Sequence, residues 1–112
     1  MRLVTQTELM KLPEGALYAR LYRPWVFADL CIKGDNVGSK DLYVRSLNWV
    51  DANDSLEAVD RLDAMMEDST LSFPVAQAYQ REGLYEQDAH YLVYELEDVK
   101  LLVGELRQAY EI

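Results

Sequence analysis

The sequence predicts an α+β domain: an antiparallel sheet of about four to five strands, with two main helices (about 54–68 and 97–110) and a short N-terminal helix on one face. Short alternating apolar runs crowd residues 16–50, which is the period of strands. A Gly-containing loop, Gly34–Lys40, separates two of these runs, as in an antiparallel hairpin. Apolar residues at helical spacing come later, in 54–68 and again in 97–110. The chain has 112 residues, half of them apolar, enough for one domain over 1–112 with a single core.

Arg2–Val4 reads as a first strand. Thr5 and Glu8 then match a capping box, in which the Thr5 hydroxyl accepts from the Glu8 amide and Glu8 reaches back. The helix so opened is stopped by Leu12-Pro13-Glu14-Gly15. Ala16–Tyr22 reads as a strand, Arg23-Pro24 breaks it, and Trp25–Lys33 resumes. On that second run Val26, Ala28, Leu30 and Ile32 alternate against Trp25, Phe27, Asp29 and Cys31; both faces are largely apolar, which places it centrally in the sheet. Asp41–Val50 follows as a third long strand, with Leu42, Val44 and Val50 on one face. Asp54, with Glu57 three residues on, repeats the capping logic and opens the first main helix. Pro74 stops any helix from running through Leu71–Arg81, where strand and short helix both fit, and Arg81-Glu82-Gly83 reads as a turn. Ala89–Leu96 is the last strand. In the final helix Val99, Leu102, Val103, Leu106, Ala109 and Tyr110 share a face expected to pack on the sheet.

Charge is divided unevenly. Residues 1–50 carry seven Lys/Arg against five Asp/Glu; residues 51–112 carry four against fifteen, and the whole chain is −9. Such a balance argues against direct binding of nucleic acid, whose phosphates need Lys/Arg, and against docking on anionic lipid. On a helical wheel Ala58, Val59, Leu62, Met65 and Met66 occupy one sector of the first main helix, and Glu57, Asp60, Asp63, Glu67 and Asp68 the opposite one. An acidic face of this kind suits a basic protein partner, its carboxylates standing in for phosphates; the competing account is a solvated face that keeps the chain dispersed. Glu82, Glu86, Asp88, Glu95, Glu97 and Asp98 make a second acidic group.

The alternative is a small ligand. Tyr43, Arg45, Leu47 and Trp49 are placed on one strand face by simple alternation, and Tyr43, Arg45 and Trp49 would stack a base and hold a phosphate in a nucleotide-sequestering protein. The competing account is that this face packs beneath a helix. On the last helix Leu101, Gly104 and Gln108 lie opposite the expected core face, and a Leu beside a Gly permits close approach of a second helix and hence a homodimer.

No catalytic motif is present, so a non-enzymatic role is expected. Cys31 and His90, the sole residues of their types, are a conceivable nucleophilic pair, but no signature surrounds them and Cys31 fits a core position. One His and one Cys do not make a metal site, and Asp51–Asp54 lacks the pattern of a calcium loop; no metal and no cofactor are expected. Gly34–Lys40 has the wrong spacing for a phosphate loop. A single cysteine leaves no internal disulfide and fits a reducing compartment, and no secretion signal or membrane span is visible, so a cytoplasmic location is expected.

The stretch Arg81–Leu102 (REGLYEQDAHYLVYELEDVKLL), with Leu12–Ala19 (LPEGALYA) and Phe27–Gly34 (FADLCIKG), resembles small acidic accessory proteins of bacteriophages and prophages. That resemblance implies a phage origin and a host cytoplasm, and for such proteins a role in blocking a host defence or rerouting a host enzyme. Joined to the acidic face, it makes the leading expectation inhibition of a nucleic-acid-binding host defence protein through an acidic, nucleic-acid-like surface. The resemblance brings no residue roles with it.

Overall fold

The computed structural model describes residues 1–82 and 88–112. Its elements run β1 (Arg2–Thr5), α1 (Gln6–Met10), β2 (Leu17–Tyr22), β3 (Val26–Val37), β4 (Asp41–Val50), α2 (Ser55–Glu67), β5 (Val75–Arg81), β6 (His90–Tyr94) and α3 (Leu96–Tyr110). The fold is α+β, with one sheet of six strands in the order β1-β6-β2-β3-β4-β5. Every neighbouring pair is antiparallel. The sheet is wider than the four to five strands expected. The segment Leu71–Arg81, where two conformations fitted the sequence, supplies β5 as an edge strand. Gly83 of the expected turn and Glu86 of the second acidic group lie outside the described residues.

Local chemistry explains the helix starts. Thr5 and Glu8 form the expected capping box, with the Glu8 amide donating to Thr5 Oγ1 at 3.3 Å. Asp54 caps α2 by accepting from the Glu57 amide at 2.8 Å. A third box, Glu95 with Asp98, opens α3.

Register decides which side chains share a face, because directly paired residues of an antiparallel sheet point the same way. One face gathers Val4, Tyr18, Cys31, Leu42, Val44, Tyr91 and Val93, and Leu9 of α1 packs among them; this is the core. The opposite face carries Leu3, Leu17, Leu30, Ile32, Arg45, Tyr79, Leu92 and Tyr94. Three bulges interrupt the simple alternation: between Ala19 and Leu21 where β2 meets β3, between Lys33 and Asn36 on β3, and between Ser46 and Trp49 on β4. Each inserts a residue and reverses the facing of everything beyond it. Phe27 therefore joins Leu30 and Ile32, whereas the sequence places it with Cys31; Val26 moves to the core side. Val50, expected beside Leu42 and Val44, falls on the opposite face. At the β3 bulge Gly34 lies so close to β4 that a Cβ would stand 3.0 Å from the Tyr43 carbonyl oxygen. β3 also continues to Val37, through the first half of the loop Gly34–Lys40 that the two glycines suggest.

The helices depart most from expectation. α1 seals the core face, but α2 and α3 touch the sheet mainly at β4 and β6. α3 has no buried residue, and its stripe of Leu102, Val103, Leu106 and Tyr110 is exposed. Only Ala58 of α2 is buried, leaving Leu56, Val59, Leu62 and Met66 in water. The stripes expected to cover the sheet do not cover it.

Candidate functional site

The largest assembly of polar chemistry lies on the core side of the sheet, around a cavity of about 200 Å³ lined by Tyr18, Arg20, Asp29, Cys31 and Glu82 among others. β2 delivers Tyr18 and Arg20, β3 delivers Asp29 and Cys31, β4 delivers Ser46, and the residue after β5 is Glu82. The Glu82 carboxyl accepts from the Tyr18 hydroxyl at 2.9 Å and from the Tyr91 hydroxyl at 3.4 Å. The two rings meet edge to face with centroids 5.7 Å apart. Asp29 accepts from Ser46 Oγ and, at 3.5 Å, from Cys31 Sγ. Arg20, 8% exposed, stands over the Tyr22 ring at 4.9 Å.

Burial sets the proton affinities here. It raises Glu82 above the ordinary carboxylate range, opposed first by the Tyr18 hydroxyl and then by the Arg20 charge. It also raises the Tyr18 and Tyr91 hydroxyls far above neutrality. The Cys31 thiol is pushed up to about 12 by burial and by the neighbouring Asp29 charge, so it is a thiol rather than a thiolate at neutral pH. Cys31 and His90 point to opposite faces of the sheet, because Cys31 pairs with Tyr18 while His90 pairs with Leu21. The Cys–His pair is not formed. What remains is a hydrogen-bonded polar network that fixes four strands in register. Sequence reasoning missed it, because its members are scattered from 18 to 91. The available signal was a set of polar residues, Arg20, Asp29 and Ser46, at positions whose neighbours alternate inward.

α2 carries Glu57, Asp60, Asp63 and Glu67, and Asp68 is its C-cap. Glu57 is held by Arg61 at 2.8 Å and by Asn53 at 3.1 Å, and Arg61 also donates to the Asp51 carbonyl. Asp68 accepts from the Thr70 hydroxyl at 2.6 Å and from its amide, which holds its carboxyl below the usual range. Asp60, Asp63 and Glu67 are exposed and form no ion pair with a described residue. In the second acidic group, four of the described carboxylates have partners. Glu82 turns inward, Glu95 pairs with Arg2 at 3.4 Å, Glu97 with Lys100 at 3.2 Å, and Asp98 with the amino group of Met1 at 2.5 Å.

The expected aromatic strip is divided. Tyr43 and Arg45 line a shallow groove of about 440 Å³ together with Ile32, Glu14 and Tyr79 of β5. Trp49 does not line it: the β4 bulge pairs Trp49 with Ala76, on the face of Ser46 and Ala78. Simple alternation put the three residues together, and one inserted residue separates them. Among the described residues no cluster of His, Cys, Asp and Glu is arranged to hold a metal ion. No helix is long and apolar enough to cross a membrane. No family model, no curated protein and no solved structure matches the chain.

Proposed function

We propose that this chain is a non-enzymatic binding protein that engages a basic partner protein through the outer face of α2. The observation that carries this reading is the state of Asp60, Asp63 and Glu67: three exposed carboxylates on one helix, with the helix's single cation, Arg61, already engaged by Glu57. At 1.5 Å rise per residue the three charges span about 10 Å, roughly one per 5 Å. A single DNA strand carries one charge per about 3.4 Å, so a groove built for phosphates meets a related linear array. In the phage setting that the sequence resemblance implies, the partner is a host nucleic-acid-binding defence protein whose groove the helix occupies.

Such association is steered by long-range attraction, and salt weakens it over a Debye length of about 8–10 Å. The test is affinity capture from host lysate at low and high salt, with wild type beside the triple variant Asp60→Lys, Asp63→Lys, Glu67→Lys. Capture of a basic protein that falls with salt and is lost in the variant supports the reading. Equal capture by the folded variant removes it.

A further inference from the structure

The protein exposes more surface than a folded monomer of its mass. Its accessible area is 8178 Å². A 13.0 kDa folded monomer is expected to expose about 6,300 Å², an excess of roughly 1,800 Å². The radius of gyration agrees: 15.5 Å, where a compact chain of this length has about 13 Å. Exposed apolar side chains contribute to it: Phe27, Tyr43 and Tyr79 on the open sheet face, Leu102, Leu106 and Tyr110 along the α3 stripe, and Leu56, Val59, Leu62 and Met66 on α2.

We propose that a second copy of this chain covers both surfaces, the α3 stripe of each protomer lying on the open sheet face of the other. Area is the first argument. The excess of roughly 1,800 Å² per chain is more than twice the ~800 Å² that each partner buries in a standard complex, so the two surfaces need supply only part of it. Complementarity within one chain is the second. The chain carries both an apolar sheet face left exposed at β3–β5 and an exposed apolar helix stripe, and in its own protomer the one does not cover the other. Two copies related by a two-fold axis satisfy both at once and close the assembly. Dimensions are the third. Fifteen residues of α3 measure about 22 Å, which fits within the roughly 33 Å length of ten-residue β4, the middle strand of the exposed part of the face. Helix stability is the fourth: an isolated helix of this length is marginal in water, so α3 needs a permanent neighbour. None of the α2 carboxylates belongs to the proposed interface.

Sedimentation equilibrium tests the proposal on the full chain at about 10 µM, where an obligate dimer is fully associated. The expected species is a dimer of about 26 kDa, twice 13.0 kDa. Leu106→Glu, on the helix stripe, and Tyr79→Glu, on the sheet face, are each expected to give folded monomers, with affinity weakened at least 100-fold. Those side chains are 56% and 76% exposed in the protomer, so neither change removes internal packing, and far-UV circular dichroism confirms folding. Asp60→Lys on α2 is expected to leave the dimer intact. A monomeric wild type overturns the proposal, as does a dimer that survives either glutamate substitution or one that Asp60→Lys dissolves.

Discussion

Removing one hydroxyl, with Tyr18→Phe, isolates the contribution of the Glu82 network. Tyr18 is 1% exposed, and phenylalanine keeps the ring and its edge contact with Tyr91, so little but the hydrogen bond changes. That bond, 2.9 Å from hydroxyl to carboxyl oxygen, is charge-assisted when Glu82 is ionised. A hydrogen bond to a charged group contributes about 1.5–3 kcal/mol, and one between neutral groups about 0.5–1.5 kcal/mol. The cost of the substitution therefore depends on pH. Burial raises the Glu82 pKa above 4.5, and the Tyr18 hydroxyl is the foremost influence holding it down. A carboxyl with a raised folded-state pKa stabilises the fold below its unfolded pKa, and that stability is lost as pH rises through the folded value. Without the hydroxyl the folded pKa climbs further and the loss is larger. The expected destabilisation is about 2 kcal/mol at pH 8 and about 1 kcal/mol at pH 4. Urea unfolding of both proteins at the two pH values measures it. A cost below about 0.5 kcal/mol at pH 8, or one independent of pH, would refute the assignment of Glu82 as a buried, hydroxyl-bound carboxylate.

Two other expectations follow from single residues. Cys31 is 6% exposed and its thiol titrates at about 12, so alkylation of the native protein at pH 8 should be slower than in urea by at least about 100-fold; comparable rates would place the thiol in reach of solvent. Asp54→Ala removes the cap of a helix that has one buried residue to hold it, so the cost of about 1 kcal/mol should appear as lost helicity in far-UV circular dichroism, and unchanged helicity would show that α2 has support beyond its cap and Ala58.

Local rules carried the reading of the sequence as far as the elements. Thr5 with Glu8 and Asp54 with Glu57 announce their helices because a cap is chemistry between residues three apart. Alternation put Leu42 and Val44 on one face for the same reason, since the strand period is two, and Cys31 fitted the core because a free cysteine packs as a small hydrophobe; all three lie in the core. Bulges are not local in that sense. Whether Trp49 lies with Arg45 or with Ser46 depends on one residue that β4 inserts against β5, and the partner strand is absent from any window of β4. Glu82 was misread by a related error. Acidic neighbours in sequence suggested a wet surface, but two tyrosines from β2 and β6 converge on it from 64 and 9 residues away.

The amphipathic stripes were misread for a different reason. An apolar period of 3.6 states that one side of a helix will be buried; it does not state by which chain. The same holds for β3, whose two apolar faces correctly placed it inside the sheet. A strand apolar on both faces requires a layer on each. α1 and Leu9 supply one layer, over the core face. The second layer must be helical and apolar along one side, and α3 has that composition but stands away from its own sheet. For the last helix, then, sequence and structure disagree about its address. If its place is on the sheet of a second copy, the periodicity of the last helix and the two-sided hydrophobicity of β3 are both satisfied, and both belong to one assembled core rather than to two separate exceptions.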